Sequence, residues 1–255
     1  DGAKSFSEAL HMCFLVINNL KSILHKKNLS TTVGDEGGFA PMISSNEKAL
    51  ELIIQAINKS GYKNGKDISI CLDVAANELT KIKRGRNCIS WNYSVKSKKY
   101  EDATKTIEYY LKLIKNYKIK SIEDPFHEDD KLSWLILTSK TTYYSRRTFE
   151  IIGNTQIVGD DIFATNKDRL FEGYAYEDEK GIGNAIIIKP NQAGTLIETL
   201  DVIGMAKQHK YKTIISHRSG DSEDTFIADL AVGTGSGQIK TGSLARSERV
   251  AKYNR

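Results

Sequence analysis

Cysteine is scarce in this chain of 255 residues, and the little there is forms no pattern. Cys13, Cys71 and Cys88 are odd in number and include no C-x-x-C pair. They read as reduced thiols in a cytosolic protein. In that setting the sequons at Asn28, Asn58 and Asn92 carry no meaning. Long apolar runs are missing too: none reaches the roughly 18 residues that a membrane span needs. No basic-then-apolar leader opens the chain. The first residue is Asp1 rather than Met, from which we expect a fragment or a processed chain. Nor is there a large excess of one charge: 37 Lys and Arg stand against 32 Asp and Glu, a net +5. The basic residues are scattered over helical stretches such as 105–120, as on solvated helix faces, so no nucleic-acid partner is expected. A hydrophobic fraction of 40% and a charged fraction of 27% exclude a disordered chain. The length suits one large domain or two small ones.

What is present begins with two helices. Ser5-Phe-Ser-Glu8 has the form of a capping box, and an apolar-periodic helix follows to about residue 27. Ser44-Ser-Asn-Glu47 repeats the device before a second helix, over 45–60. Its Leu50, Ile53, Ile54 and Ile57 make one apolar stripe, and Gly61 stops it. Between the helices, VGDEGGFAP (33–41) sets two adjacent glycines beside Glu36, so the backbone there can bend sharply.

From residue 68 the rhythm changes to short apolar runs alternating with helical segments at 102–116, 130–139, 166–174, 195–209 and 223–232. The runs are ISICLD ending at Asp73, IKSIE at Glu123, QIVGDD at Asp160–Asp161, AIIIK at Lys189, TIISH at His217 and GQIK at Lys240. Near-continuous apolar strands, each followed by a helix, predict an α/β fold with a parallel sheet covered on its faces. In a (β/α) barrel the C-terminal strand ends share one face, where active sites sit. An open doubly wound sheet would instead carry a glycine-rich phosphate turn after its first strand, and no GxGxxG follows ISICLD. The barrel is the better reading. It needs eight strands where six runs are visible, so two strands upstream of Asp1 are expected.

The charged residues at the strand ends then matter as a set. A single acid there is commonly the N-cap of the next helix, but Asp73, Glu123 and Asp160 end three strands in succession. Two carboxylates about 4 Å apart repel by about 4 kcal/mol at an effective dielectric near 20. A divalent cation resolves that conflict, and an all-oxygen set favours Mg²⁺ over zinc. Asp161 points the other way along the chain and falls behind such a site. The later strands bring cations: Lys189, His217-Arg218-Ser219-Gly220 and Lys240. Each alone reads as a solvated lysine or a satisfied core histidine. Together they suit a phosphate or carboxylate, for which Arg supplies a planar fork. GTGSGQIKTG fails as a nucleotide phosphate loop, because Ile239 stands where glycine must precede the lysine. Glu36, flanked by glycines, is either a solvated loop acid or one able to reach over the barrel mouth.

VGDEGGFAP, LDVAANE, SIEDPFHEDD, IVGDD, IIIKPNQAGTLIET, ISHRSGDSEDTFIADLAVG and GQIKTGSLARSERVAKYN together resemble the enolases, in this order and over nearly the whole chain, and most nearly the bacterial type. The resemblance implies a TIM-like barrel of ββαα(βα)₆ topology, with the helices at 5–27 and 45–60 as its αα pair. Residues 1–255 would be the catalytic barrel domain, incomplete at both ends, without the family's N-terminal α+β domain. It also implies Mg²⁺-dependent, reversible dehydration of 2-phosphoglycerate to phosphoenolpyruvate in the cytoplasm, by a homo-oligomer (dimer or octamer) of a kind also found at the cell surface. Asp73, Glu123 and Asp160 would hold Mg²⁺. Lys189 would be the base at C2 and Glu36 the acid assisting loss of the C3 hydroxyl. Arg218 and Ser219 would grip the phosphate and Lys240 the carboxylate, with His217 near the substrate.

The chain also departs from the family. A second catalytic Glu, a substrate-contacting Gln-Glu strand and a lid serine that ligates a second Mg²⁺ all belong upstream of Asp1. Asn77-Glu78-Leu79 replaces the usual Ser/Ala-Glu-Phe, Pro190 follows the base, and 139–156 and 173–185 are lengthened. Two rival readings remain. One is a catalytically incompetent fragment with a metal-binding or surface-interaction role. The other is a related acid-sugar dehydratase, which the HRSG segment and the single Lys189 base disfavour.

Overall fold

The computed structural model describes residues 1–85, 89–96, 99–141, 143–144, 151–152, 155–179 and 181–255. Cys88 and half of the lengthened connection at 139–156 lie outside the described residues. The chain divides into two compact units, Asp1–Ile70 with Ile215–Arg255, and Cys71–Ile214. In chain order the elements are α1 (Phe6–Lys26) and α2 (Asn46–Lys59), then β1 (Ile70–Asp73) and a 3₁₀ turn at Ala76–Leu79. A small sheet follows, β2 (Thr80–Arg84), β3 (Ile89–Tyr93) and β4 (Glu101–Asp102). Next come α3 (Ala103–Tyr117), β5 (Ile119–Glu123), α4 (Lys131–Thr141), β6 (Tyr143–Tyr144), β7 (Ile151–Ile152) and β8 (Gln156–Gly159). The chain continues through α5 (Lys167–Glu179), β9 (Ala185–Ile188), α6 (Pro190–Ala193), α7 (Leu196–Gln208) and β10 (Lys212–Ser216). It closes with α8 (Phe226–Gly233), β11 (Ile239–Lys240) and α9 (Ser247–Asn254).

In the first unit, α1 and α2 pack through Ile23, Leu24, Leu52 and Ala56. Ser5 caps α1 as predicted, its Oγ accepting from the Glu8 amide. The reciprocal half of the box differs, since the Glu8 carboxylate accepts from the Lys4 amide at 2.7 Å rather than from Ser5. The cap of α2 is Ser45, one residue later than predicted, with Oγ accepting from the Lys48 amide. Its buried face is also turned: Leu50, Leu52, Ala56 and Ile57 are buried, while Ile53 and Ile54 are half-buried. Ala56 beside Leu52 leaves room for the α1 side chains, a preference that apolar periodicity alone does not register. Gly61 ends the helix in a left-handed conformation, φ +85°.

The second unit holds parallel strands in the order β1-β5-β8-β9-β10. Spatial order follows chain order, as in a barrel, with none of the reversal of a doubly wound sheet. Every residue of β8 and β9 is buried, as predicted for strands covered on both faces, and β5 exposes only Lys120 in part. β1, on the sheet edge, buries only Ile70. Val158, Ala185, Ile187 and Ile214 form one apolar cluster. The antiparallel sheet β2-β3-β4 was not predicted. Its first strand is Thr-Lys-Ile-Lys-Arg, so charge masks the alternation; Tyr93 anchors it, buried against Phe126. Within the two lengthened stretches, β6 pairs antiparallel with β7, and α5 reaches Glu179. Among the described residues no helix is long and apolar enough to cross a membrane.

Gly159 ends β8 where no side chain fits. A Cβ there would lie 2.6 Å from Ile162 Cγ2 and closer still to Phe163 Cδ2, both of buried residues. Gly159→Ala is therefore expected to destabilise the chain by about 1–3 kcal/mol, read as a lowered urea midpoint at constant slope. An unchanged midpoint would show that the turn relaxes freely.

Candidate active site

In the second unit, sheet order sets the predicted acids and the lysine side by side. Asp73 closes β1 and Glu123 closes β5, while Asp160 and Lys189 are the first residues past β8 and β9. The ladder continues into these ends. The Val74 amide donates to the Glu123 carbonyl and the Asp124 amide to the Val158 carbonyl, each at 3.0 Å. Pro190 starts α6 at its first position, where its fixed φ and missing N–H suit a helix start, and so ends the strand at Lys189. Asp73 is exposed, whereas Glu123 and Asp160 are 6% and 8% exposed.

Asp160 is the pivot of this group. Its Oδ2 is ion-paired with Lys189 Nζ, and its buried Oδ1 has no hydrogen-bond partner among the described residues. A buried carboxylate oxygen without a donor is costly, and a cation is one of the few groups that relieves it. With Glu123 and Asp73 on the neighbouring strands, the donor set is all carboxylate oxygen. It fits a hard divalent cation. Among the described residues, however, the acids whose oxygens lie within 4.8 Å of one another are Asp124, Asp160 and Asp161, not the predicted trio.

Sequence reasoning gave Asp124 no role. It sits in the left-handed region at φ +41°, its Oδ1 accepting from the Asp160 amide at 2.9 Å and its Oδ2 from the Asp161 amide at 3.1 Å. Asp161 Oδ2 in turn accepts from Asn77 Nδ2. Both Asp124 oxygens thus serve the backbone and hold the Asp160 turn in place. Burial pushes the Asp124 carboxyl up to about 8, the two amides pulling against it and the Asp160 and Asp161 charges adding to it. The one trace in the sequence is the doubled acid in both SIEDP and VGDD.

The first unit gathers the other candidates. β10 and β11 pair in parallel with Ser216 opposite Lys240, and the His217 amide donates to the Lys240 carbonyl. Arg218 and Ser219 are exposed on a turn closed by the Asp221 carboxylate, which accepts from the Arg218 amide at 3.1 Å. Glu36 lies in a bend whose carbonyl accepts from the Ser243 amide, and its Oε1 stands 3.4 Å from His217 Nε2. Arg249, also missed, is completely buried on α9 and donates to the carbonyls of Asp35, Arg218 and Ser219. Nothing in the sequence separates this arginine from the surface cations around it. Burial lowers the His217 pKa; the Glu36 and Asp221 carboxylates oppose this, and Arg249 and Lys240 reinforce it.

Two outcomes follow. Asp124→Ala strands two backbone donors, so unfolding free energy should fall by about 1–3 kcal/mol for each. Asp124→Asn, which keeps one acceptor oxygen, should cost less; equal losses would exclude the bridging role. For His217, the unfolded chain takes up a proton below about 6.5 while the folded imidazole resists it. Stability should therefore drop as pH falls through that value, by up to about 1.4 kcal/mol per pH unit, until the lowered folded value is reached. Urea titrations over this range should show a flatter profile for His217→Asn; parallel profiles would contradict the assignment.

Compared with known proteins, the sequence matches the family described as "Enolase, C-terminal TIM barrel domain" over residues 1–255. It is 60% identical over 254 residues to the enolase of Pelagibacter ubique (strain HTCC1062), covering 100% of this chain and 55% of that protein. It is 48% identical over 255 residues to the enolase of Helicobacter pylori (strain J99 / ATCC 700824), with the same coverage of 100% and 55%. The chain thus spans 55% of the length of these curated relatives. A family match over residues 1–255 means that this chain belongs to the enolase family through its C-terminal barrel domain.

Proposed function

We propose that the protein carrying this chain interconverts 2-phosphoglycerate and phosphoenolpyruvate, with Mg²⁺ held by Asp73, Glu123 and Asp160. The observation that carries this reading is the pairing of Lys189 with Asp160 at the ends of the adjacent parallel strands β9 and β8. A proton α to a carboxylate is very weakly acidic, so its removal needs a positioned base and concentrated positive charge. Bound Mg²⁺ would supply part of that charge. Lys189 acts as the base only as a neutral amine, so its ion pair with Asp160 has to be broken before Nζ takes the proton from C2; the electron pair left behind is delocalised into the substrate carboxylate. Lys240 adds positive charge to that carboxylate, while Arg218 and Ser219 hold the phosphate. The pair then forms the C2–C3 double bond as the C3 hydroxyl leaves, protonated by Glu36 to water. The free Cys13 and Cys71 support a cytoplasmic setting, and the family likeness supports a homodimer or octamer.

Coverage of little more than half of the relatives favours a second reading for the 255-residue chain alone, a metal-binding or surface-interaction role without turnover. Absorbance of the enol product, followed with 2-phosphoglycerate and Mg²⁺, separates the two: full turnover by the chain alone excludes the second reading. In a protein of the relatives' full length carrying this chain, Lys189→Ala should slow solvent-deuterium exchange at C2 by about 10²–10⁴-fold. Undiminished exchange would remove Lys189 as the base. Asp160→Asn should weaken Mg²⁺ binding in a calorimetric titration, and unchanged affinity would count against the metal assignment.

A further inference from the structure

The buried guanidinium of Arg249 has a role that the reaction as described does not use. We propose that Arg249 is a positioning residue that fixes His217 as the neutral Nε2–H tautomer and so aims that N–H at the Glu36 carboxylate. The proposal rests on the reading of Glu36 as the acid.

Arginine carries its N–H donors in a rigid fork and has no acceptor. Arg249 Nη1 lies 2.7 Å from His217 Nδ1 and donates to the Arg218 carbonyl at 2.7 Å. Nη2 donates to the Ser219 carbonyl at 2.5 Å and the Asp35 carbonyl at 3.2 Å. Each terminal N–H therefore has its own acceptor, and one of those acceptors is His217 Nδ1. A proton on Nδ1 would set two N–H groups against each other at that distance. In the neutral ring the proton must then sit on Nε2. Nε2 is the atom 3.4 Å from Glu36 Oε1 and is otherwise unpartnered among the described residues. His217 is 2% exposed, so water does not offer Nδ1 an alternative partner. The charged groups facing this imidazole are Glu36, Asp221, Lys240 and Arg249.

The same fork fixes where Glu36 stands. Nη2 holds the Asp35 carbonyl, and the Ser243 amide holds the Glu36 carbonyl at 2.8 Å. Between them runs Gly242, φ +86°, where a Cβ would lie 2.8 Å from both Arg249 Cδ and the Glu36 carbonyl oxygen. One guanidinium thus sets both the ring and the loop that carries the acid. With Oε1 facing a donor, the proton that Glu36 gives up is carried on Oε2, which singles out one oxygen of the carboxyl as the acid.

The test is a long-range proton–nitrogen correlation spectrum of the chain with ¹⁵N-labelled histidine, recorded near neutral pH without substrate or metal. His217→Asn identifies the signals among the 5 histidines. The expected pattern is an unprotonated Nδ1 and a protonated Nε2. An Nδ1–H tautomer, a mixture of tautomers or a doubly protonated ring in the unsubstituted chain overturns the proposal. Arg249→Met should convert the single tautomer to a mixture, and Arg249→Lys, which keeps a donor, should restore it in part. If Arg249→Met does not fold, the spectrum of the unsubstituted chain still decides. Glu36→Gln should move the Nε2 proton resonance, and no movement overturns the aim at Glu36. These readouts do not depend on turnover. A protein of the relatives' full length that fails to exchange C2 hydrogen while His217 keeps its tautomer would overturn the reaction alone.

Discussion

A strand buried on both faces has no place along its length for a charge. β8 and β9 expose nothing, so any ionisable group they carry has to sit where the ladder stops, and β5 admits along its length only the partly exposed Lys120. Glu123, Asp160 and Lys189 stand at such ends, each next to a neighbour on the adjacent strand. The chemistry is thus placed by the same constraint that makes the sheet. Carrying it half-buried or buried is costly, and the structure must offset that cost locally.

It does so by similar means in the two units. Asp124 spends both carboxylate oxygens on backbone amides of the Asp160 turn, and Arg249 spends three of its N–H groups on backbone carbonyls. In both cases a buried titratable group is satisfied mainly by main-chain groups rather than by an opposite charge. Such a group carries no reaction itself but fixes the path of the residues that would. Lys252 is a third case, fully engaged by the carbonyls of Ser222 and Glu248 and by Asp221, and it steadies the turn bearing Arg218 and Ser219.

This explains what the sequence reveals and what it hides. Apolar runs ending in charge are visible as runs, which is why the parallel strands and their terminal residues were predicted to within a residue or two. Local caps were nearly as visible, though the choice of Ser45 over Ser44 depends on how α2 meets α1. The sheet of β2, β3 and β4 escaped because Lys81, Lys83 and Arg84 break its apolar alternation. Asp124 and Arg249 escaped for another reason. Their partners are backbone groups 36 and 37 residues away for Asp124, and 30, 31 and 214 away for Arg249, and a main-chain partner leaves no complementary residue type to notice.

The Lys189–Asp160 pair shows how far base and metal site are joined. Removing the lysine leaves Asp160 with both oxygens short of donors, and removing the carboxylate leaves a half-buried ammonium without its partner. Breaking a buried pair from one side is strongly destabilising because of the charge left behind. The effects of substituting either residue therefore mix a lost chemical group with a stranded charge. Only a double-substitution cycle, with metal affinity and C2 exchange both measured, separates these parts. Coupling in affinity without coupling in exchange would place the pair's value in holding the cation. The reverse would place it in holding Lys189 at its task.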